Sequence, residues 1–247
     1  MTGRVEFIGI DFDPRTPAQV HAWLAARDAA SAYAYVVTPN VDHMVRLAEA
    51  PTDVRRAYAD ADLCLCDSRV LARLARLAGI ELGVVPGSDL SAALFAQLLR
   101  PGDVIGLIGG REGDATRLEA LYPGIAVAQH LAPMGLRHDV AARRGAVDAA
   151  VAARARVTLF AVGSPQQELL AHEMATRAEA RGTALCIGAS VEFLLGTQRR
   201  APRIVQRAGM EWAWRLLGDP RRLARRYLVE GPAIFPLFWR WRRARRR

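Results

Sequence analysis

Seven short apolar runs, most of them rich in β-branched residues, recur along the chain and predict seven β-strands. They cover residues 5–12, 33–40, 61–67, 103–110, 124–130, 156–163 and 183–190. Stretches rich in alanine and leucine, with helical spacing, lie between most of them, as in SRVLARLARLAG (68–79) and PQQELLAHEMATRAEARG (165–182). Because strands and helices alternate, the sequence predicts an α/β fold with a mostly parallel sheet flanked by helices.

Small and polar residues follow the predicted strands at their carboxyl ends. Ligands of open α/β sheets bind beyond these ends, so such residues are the first candidates for a site. They are residues 38–40, Asp67, Gly109, Gly110, residues 163–167 and residues 188–192.

Local sequence leaves two interpretations of Asp67 open. It could cap the helix that follows, or it could be a carboxylate placed to accept a proton. The polar residues at 38–40 and 166–168 could likewise be caps. Taken together, they still predict several polar groups at one edge of the sheet.

The glycines in IGLIGGREGDA (105–115) favour either a tight strand-to-helix turn or a backbone that approaches a phosphate. Their spacing does not match G-x-G-x-x-G, and no acid follows where a ribose would need one. The stretch therefore gives little support to a nicotinamide-dependent dehydrogenase, and no cofactor is predicted.

No metal site is predicted. The acid pairs in DFD (11–13) and DAD (60–62) resemble those that hold a divalent ion in many sugar transferases, but turn contexts favour solvated acids. The three cysteines, Cys64, Cys66 and Cys186, lie inside apolar runs and are expected to be reduced strand residues.

Charge divides the chain into two parts. All 34 basic residues are arginines; residues 1–198 hold 19 of them against 22 acids, a balance of −3, and residues 199–247, the C-terminal segment, hold 15 against 3, a balance of +12. Four of the five tryptophans also lie beyond residue 210. The segment is therefore expected to be a basic, aromatic helical appendage to a core at 1–198.

Three anionic partners suit this segment: nucleic acid, a membrane surface, or the diphosphate of a small substrate. Its tryptophans cluster with leucine, isoleucine and phenylalanine beside six arginines in the last eight residues, which favours a lipid headgroup interface. A merely solvated basic end stays an alternative. Without an apolar run of about 18 residues or a secretion signal, we expect a cytoplasmic protein at the inner face of the membrane.

The order of the motifs resembles the WecG/TagA/CpsF glycosyltransferases, glycosyltransferase family 26. The resemblance spans nearly the whole chain, through TPNVDHMVRLAE, ADLCLCDS, VPGSDL, GLIGG, GSPQQE and IGASVEFLLGTQRRAPRIVQRAGMEWAWRLLGDPRRLARRYL. The last stretch, with its G-x-E-W-x-x-R-L pattern, is the most specific. The resemblance implies a Rossmann-like core whose appendage completes the active site and contacts the membrane.

The resemblance also implies an inverting, metal-independent transfer of a sugar, such as N-acetylmannosamine or glucose, from a UDP-sugar to a polyprenyl-diphosphate-linked sugar, in cell-surface polysaccharide biosynthesis. Asp67 would be the general base, with Thr38 and Asn40 beside it. The remaining candidates would contact the donor or neutralise its diphosphate; they are Gly109, Gly110, Gln167, Gly188, Glu192, Arg215, Arg222 and Arg225.

Four positions depart from the family pattern: Ser68 replaces glycine, Gly83-Val84 replaces Glu-Arg, and Glu192 replaces aspartate. They bear on the identity of the donor and acceptor, which the sequence does not specify. The alternative from another functional class is a non-catalytic protein that binds nucleic acid or membrane on a nucleotide-binding-like fold. A homo-oligomer is left open.

Overall fold

The computed structural model of the chain describes residues 3–133, 135–188, 190–198, 200–202, 204–205 and 208–245, without the side chain of Arg222.

Six of the seven predicted strands form one all-parallel sheet, which confirms the predicted fold class. These strands are β3 (Ala34–Val37), β4 (Leu63–Cys64), β5 (Val104–Gly109), β6 (Ala126–His130), β7 (Val157–Ala161) and β8 (Thr183–Cys186). Their spatial order is β4-β3-β8-β7-β5-β6. The carboxyl ends of β3, β4, β7 and β8 therefore lie side by side, and they bring residues that are far apart in sequence to one edge.

The first predicted strand is wrong in one respect, because it lies outside the parallel sheet. Residues 5–12 form an antiparallel hairpin of β1 (Val5–Phe7) and β2 (Ile10–Phe12). The chain reverses at Ile8 and Gly9, whose φ values of 51° and 78° lie in the left-handed region. Phe7 and Phe12 are fully buried, so the hairpin is part of the hydrophobic core.

Helices cover both faces of the sheet. They are α1 (Pro17–Ala25), α2 (Val41–Leu47), α3 (Thr52–Ala59), α4 (Arg69–Leu77), α5 (Gly87–Ala93), α6 (Asp114–Leu121), α7 (Val140–Ala152), α8 (Gln166–Ala175) and α9 (Ser190–Leu194). Alternate residues of a strand face opposite sides, so Tyr35 and Val37 pack into one core cluster and Val36 into the other. Burial on both faces explains why the strands are continuously apolar.

The C-terminal segment folds back onto the rest of the protein. It contains α10 (Glu211–Gly218), α11 (Pro220–Ala224), a π-helical turn (Arg225–Glu230), a 3₁₀ turn (Gly231–Ala233) and α12 (Ile234–Ala244). Ile234 and Phe238 of α12 are buried in the core cluster that contains Phe7. The rings of Phe7 and Trp241 meet edge to face with centroids 5.1 Å apart. The division at residue 198 stays a prediction.

We predict that Phe238→Ala destabilises the whole protein by about 3–5 kcal/mol, because it removes a fully buried ring from the shared core. Urea unfolding followed by circular dichroism measures this. Phe235→Ala is the matched control, since that ring is 49% exposed in the same helix. A separate small transition that leaves the main unfolding midpoint unchanged would contradict the shared core.

Candidate active site

A cavity of about 670 Å³ lies where the C-terminal segment covers the carboxyl edge of the sheet. Both parts of the chain line it with polar side chains. The core contributes Thr38, Asn40, Asp42, His43, Arg46, Asp67, Ser164 and Gln167, and the C-terminal segment contributes Glu211, Trp212, Arg215, Arg226, Tyr227 and Phe235.

Asp67 lies between the carboxyl end of β4 and the N-terminus of α4. Its backbone N–H donates to the carbonyl of Pro39 at 3.0 Å, which joins the ends of β4 and β3. The neighbouring Ser68 is the N-cap of α4, since its hydroxyl accepts from the N–H of Leu71 at 3.3 Å. Because Ser68 performs the capping, the Asp67 carboxylate is left to line the cavity.

The environment of Asp67 favours its protonated form. Burial raises the pKa of the carboxyl to about 8, and the negative charges of Glu211 and Asp89 act in the same direction. The Gly87 N–H and the Arg215 guanidinium oppose the shift but do not cancel it. Among the described residues, no cation lies within ion-pair distance of Asp67. This is the environment expected of a carboxylate that accepts a proton near neutral pH.

Thr38 and Asn40 lie beside Asp67 at the end of β3 and have defined partners. The Thr38 hydroxyl donates to the carbonyl of Cys186 at 3.3 Å. The side-chain oxygen of Asn40 accepts from the N–H groups of Asp42 (3.1 Å) and His43 (3.4 Å) and so caps α2. These bonds fix the orientation of both side chains in the cavity wall.

Among the described residues of the C-terminal segment, two arginines line the cavity, Arg215 and Arg226, and only Arg215 was predicted. Arg215 lies over Phe193 at 5.6 Å, and its buried Nε has no acceptor among the described residues. Arg226, which the sequence analysis missed, also has a buried Nε without an acceptor there. Its neighbour Arg225 is 84% exposed, pairs with Glu230 at 3.0 Å and does not line the cavity.

The side chain of Arg222 lies outside the described part of the chain. For Arg225, contact with a donor stays a prediction. Both arginines belong to the run PRRLARRYL, in which neighbouring arginines look equivalent. Only the path of the chain through α11 and the π-helical turn decides which of them faces the cavity.

A buried carboxylate, Asp42, joins the core to the C-terminal segment. It is 7% exposed, accepts a hydrogen bond from Arg46, one turn along α2, and forms an ion pair with Nη2 of Arg226 at 3.0 Å. Arg46 also donates to the carbonyl of Ser164 at 3.2 Å. This role has no local sign in the sequence, because an acid in the first turn of a helix ordinarily needs no distant partner.

His43 lies in the cavity wall beside these arginines. Burial lowers the pKa of its imidazole to about 3, and the charges of Arg46 and Arg226 lower it further. The ring is therefore neutral at physiological pH. Its Nδ1 accepts from the backbone N–H of Asn40 at 3.3 Å, so it completes the cap of α2.

Gln167 and Gly188 form the inner wall of the cavity. Gln167 is 2% exposed; its Oε1 accepts from the Gly188 N–H at 2.9 Å and its Nε2 donates to Glu168 at 2.8 Å. Glu168 is fully buried, and burial raises the pKa of its carboxyl. Gln167 therefore holds the turn at Gly188, and its predicted contact with a donor stays a prediction.

Gly109, Gly110 and Glu192 lie at the same edge of the sheet but outside the cavity lining. A Cβ atom at Gly109 would lie 2.9 Å from the carbonyl of Ala161, and its φ of 97° also requires glycine. Glu192 pairs with Arg111 at 2.8 Å. These positions have structural reasons of their own, and their predicted donor contacts are not tested.

The acid pairs are tied to the fold more closely than solvated turn acids would be. Asp13 pairs with Arg4 at 3.2 Å and accepts from the Cys64 N–H at 2.8 Å, and Asp62 accepts from the Tyr35 N–H at 2.9 Å. Within the described ranges, no three His, Cys, Asp or Glu side chains are grouped so that they could hold a metal ion. The three cysteines are free thiols and buried.

Three of the residues that depart from the family pattern have a visible structural effect. Ser68 supplies the cap of α4 described above, which a glycine could not do through its side chain. Gly83 lies against the backbone carbonyl of Arg15, where a Cβ atom has no room. Val84, next to it, places an apolar side chain in the cavity lining.

The chain was compared with families of known proteins. The model of the Glycosyl transferase WecG/TagA/CpsF family matches residues 5–247. The match therefore includes the C-terminal segment as well as the sheet. In the part of the chain that the structure describes, no helix is both long and apolar enough to span a bilayer.

We predict that Asp67→Asn stabilises the protein, and that the gain increases as pH rises from about 4 to 8. The folded state raises the pKa of Asp67 from 3.8 to about 8, so the unfolded chain loses this proton first and stability falls across that interval. Asparagine has no such proton. Each kcal/mol gained should raise the melting temperature by about 2–4 °C.

Thermal unfolding of both proteins at several pH values tests this prediction. Asp11→Asn is the control for loss of one charge, because Asp11 is exposed on β2. Equal pH dependence in Asp67→Asn and the unmodified protein would show that Asp67 is not held in a charge-disfavouring environment.

Proposed function

Because the chain belongs to the WecG/TagA/CpsF glycosyltransferase family, we propose that this cavity transfers a sugar from a UDP-sugar to a polyprenyl-diphosphate-linked sugar, with inversion and without a metal ion. The chain is a glycosyltransferase, and its family supports a role in cell-surface polysaccharide synthesis. One observation carries the finer proposal: Asp67, a carboxyl with a pKa of about 8, shares a cavity with the cations of Arg215 and Arg226.

In the proposed reaction, Asp67 removes the proton from an acceptor hydroxyl. The oxygen attacks the anomeric carbon of the donor from the face opposite the leaving group, and the bond to the UDP oxygen breaks with its electron pair. The proton ends on Asp67, and the configuration at the anomeric carbon inverts. General-base help of this kind typically accelerates a reaction by about 10²–10⁴.

Negative charge grows on the diphosphate as it leaves, and fixed cations in the cavity stabilise that charge. Arg215 and Arg226 are suited to this task, because both arginines line the cavity. A guanidinium can bind phosphate oxygens with two parallel hydrogen bonds. We propose that these two arginines supply what a divalent ion supplies in other sugar transferases.

The apolar part of the cavity supports a lipid-linked acceptor. Trp212, Tyr227, Leu228, Ile234 and Phe235, all from the C-terminal segment, line it beside the polar groups. An acceptor with a charged diphosphate and a polyprenyl chain needs polar and apolar walls of this kind. Because Asp67 lies on the core side, the acceptor sugar would lie between the lipid and the sheet.

Exposed apolar side chains on the C-terminal segment support an anionic membrane surface as a partner. Leu217, Leu228, Val229, Phe235 and Trp239 are between 49% and 81% exposed. Arginines follow in the last turn of α12, where headgroup phosphates would meet them. We therefore propose that the enzyme is peripheral at the inner face of the cell membrane.

We predict that Asp67→Asn lowers kcat/KM by about 10²–10⁴ while the protein stays folded, because asparagine cannot accept the proton. In the unmodified enzyme, kcat/KM should fall about tenfold for each pH unit below about 8, where Asp67 becomes protonated. UDP release from a panel of UDP-sugars, with a short-chain polyprenyl-diphosphate-linked acceptor, measures both. Normal turnover by Asp67→Asn would exclude Asp67 as the base.

We predict that Arg226→Ala lowers kcat/KM by about 10²–10³, since it removes one preorganised cation from the leaving diphosphate. Arg221→Ala is the matched control, because Arg221 is exposed in α11 and does not line the cavity. Assays with and without a chelator run in parallel. Equal loss in both variants, or activity that requires added magnesium or manganese, would contradict the role given to Arg226.

A further inference from the structure

Glu211 is a cavity carboxylate to which the proposed reaction gives no task. It is the first residue of α10, lines the same cavity as Asp67 and is partly buried. Glu211 makes no ion pair with any residue that the structure describes. An acid in the first turn of a helix is favourable for the helix, but that benefit does not require it to face a cavity.

Contacts of the two residues Ala208 and Gly209, just before α10, hold this part of the chain against α4. Arg73 of α4 donates from Nη1 to the carbonyl of Ala208 at 2.9 Å. Gly209 has a φ of 74° and lies so close to α4 that a Cβ atom there would come within 2.9 Å of Arg73 Nη1 and 3.6 Å of Arg69 Cβ. Glu211 follows two residues later, and it lines the same cavity as Asp67 and Ser68 at the start of α4.

The charges around Asp67 come from several elements. Helix α10 contributes Glu211 and Arg215, α4 contributes Arg69, and α5 contributes Asp89 with its partner Arg200. Helix α2 contributes Asp42, Arg46 and the neutral His43, which lie near Arg226. Asp89 is paired with Arg200 at 2.5 Å, so its charge is largely compensated. Glu211 is the acid in this set that has no cation at ion-pair distance.

We propose that Glu211 and Asp67 form a carboxylate pair, and that Glu211 acts as a positioning residue that strengthens Asp67 as the base. Its negative charge opposes ionisation of Asp67, and that opposition is the second largest cause, after burial, of the raised pKa of Asp67. A base whose pKa lies near the working pH transfers protons most efficiently. The C-terminal segment would then tune the base as well as supply cations.

The pairing of the two carboxylates is independent of the reaction, whereas the effect on the base rests on the proposed function. A double-mutant cycle of Glu211→Gln and Asp67→Asn tests the pairing by thermal unfolding. At pH 9, where Asp67 is ionised, Glu211→Gln should raise the melting temperature by about 2–4 °C more in the unmodified background than in the Asp67→Asn background. At pH 6 this difference should disappear, because Asp67 is then protonated.

The cycle cancels the effect of Glu211 on the helix, which is present in both backgrounds. Glu81→Gln, at an exposed position beyond the far end of α4, is the control for loss of one negative charge. Equal shifts in the two backgrounds at pH 9 would overturn the pairing, whether or not any transferase activity is found.

The second experiment follows kcat/KM against pH. In Glu211→Gln the acid limb should move to lower pH by about one unit, because Asp67 then loses its proton more easily. A merely structural loss would lower the whole profile without moving the limb, and that outcome would overturn the tuning role. Glu211→Asp, which keeps the charge, should leave the limb close to its original position.

Discussion

Packing of the C-terminal helix on the N-terminal hairpin is the contact on which the cavity depends. Phe238 fills the space beside Phe7 with ring centroids 6.2 Å apart, and the indole N–H of Trp241 donates to the Glu6 carboxylate at 2.8 Å. The sheet alone presents an open edge, as parallel sheets do. Because the C-terminal helix packs on the N-terminal hairpin, Arg226 lies 3.0 Å from Asp42. The C-terminal segment thus covers the carboxyl edge of the sheet and encloses the cavity. The segment that gives the chain its net positive charge is thus held by ring packing together with contacts to two carboxylates.

The cavity contains charged groups whose capacity for ion pairs or hydrogen bonds is only partly used by the described residues. Asp67 and Glu211 have no described cation at ion-pair distance, and Arg215 and Arg226 have buried Nε atoms without acceptors among the described residues. Burying a carboxylate without a cation, or a guanidinium nitrogen without an acceptor, lowers stability. Folding alone therefore gives no reason for this arrangement. An anionic ligand would bind the guanidinium groups, and the proton of a hydroxyl group would neutralise a carboxylate. The arrangement therefore suits ligands that supply both an anionic group and a hydroxyl group.

Sequence reasoning predicted the sheet because the signal for it is local. Strands that are buried on both faces must be apolar throughout. Because strands and helices alternate along the chain, only a few sheet topologies are possible. The hairpin at 5–12 was missed because a short apolar run looks the same in a hairpin as in a parallel strand. Asp67 could be selected because a carboxylate after a strand is visible in sequence. Asp42 and Arg226 could not, because their roles arise from a contact between residues 184 positions apart.

The proposed substrates make the balance of these charges part of the mechanism. Two diphosphates near one carboxylate would raise its pKa further and leave it protonated at neutral pH, since like charges disfavour ionisation. Arg215 lowers the pKa of Asp67, so a cation that binds the leaving diphosphate also keeps the base ionisable. In the proposed reaction, the same cation then stabilises the leaving diphosphate and favours the ionised form of Asp67, which activates the acceptor. On the proposed mechanism, the basic segment closes over the carboxyl edge of the sheet because both tasks require its cations there.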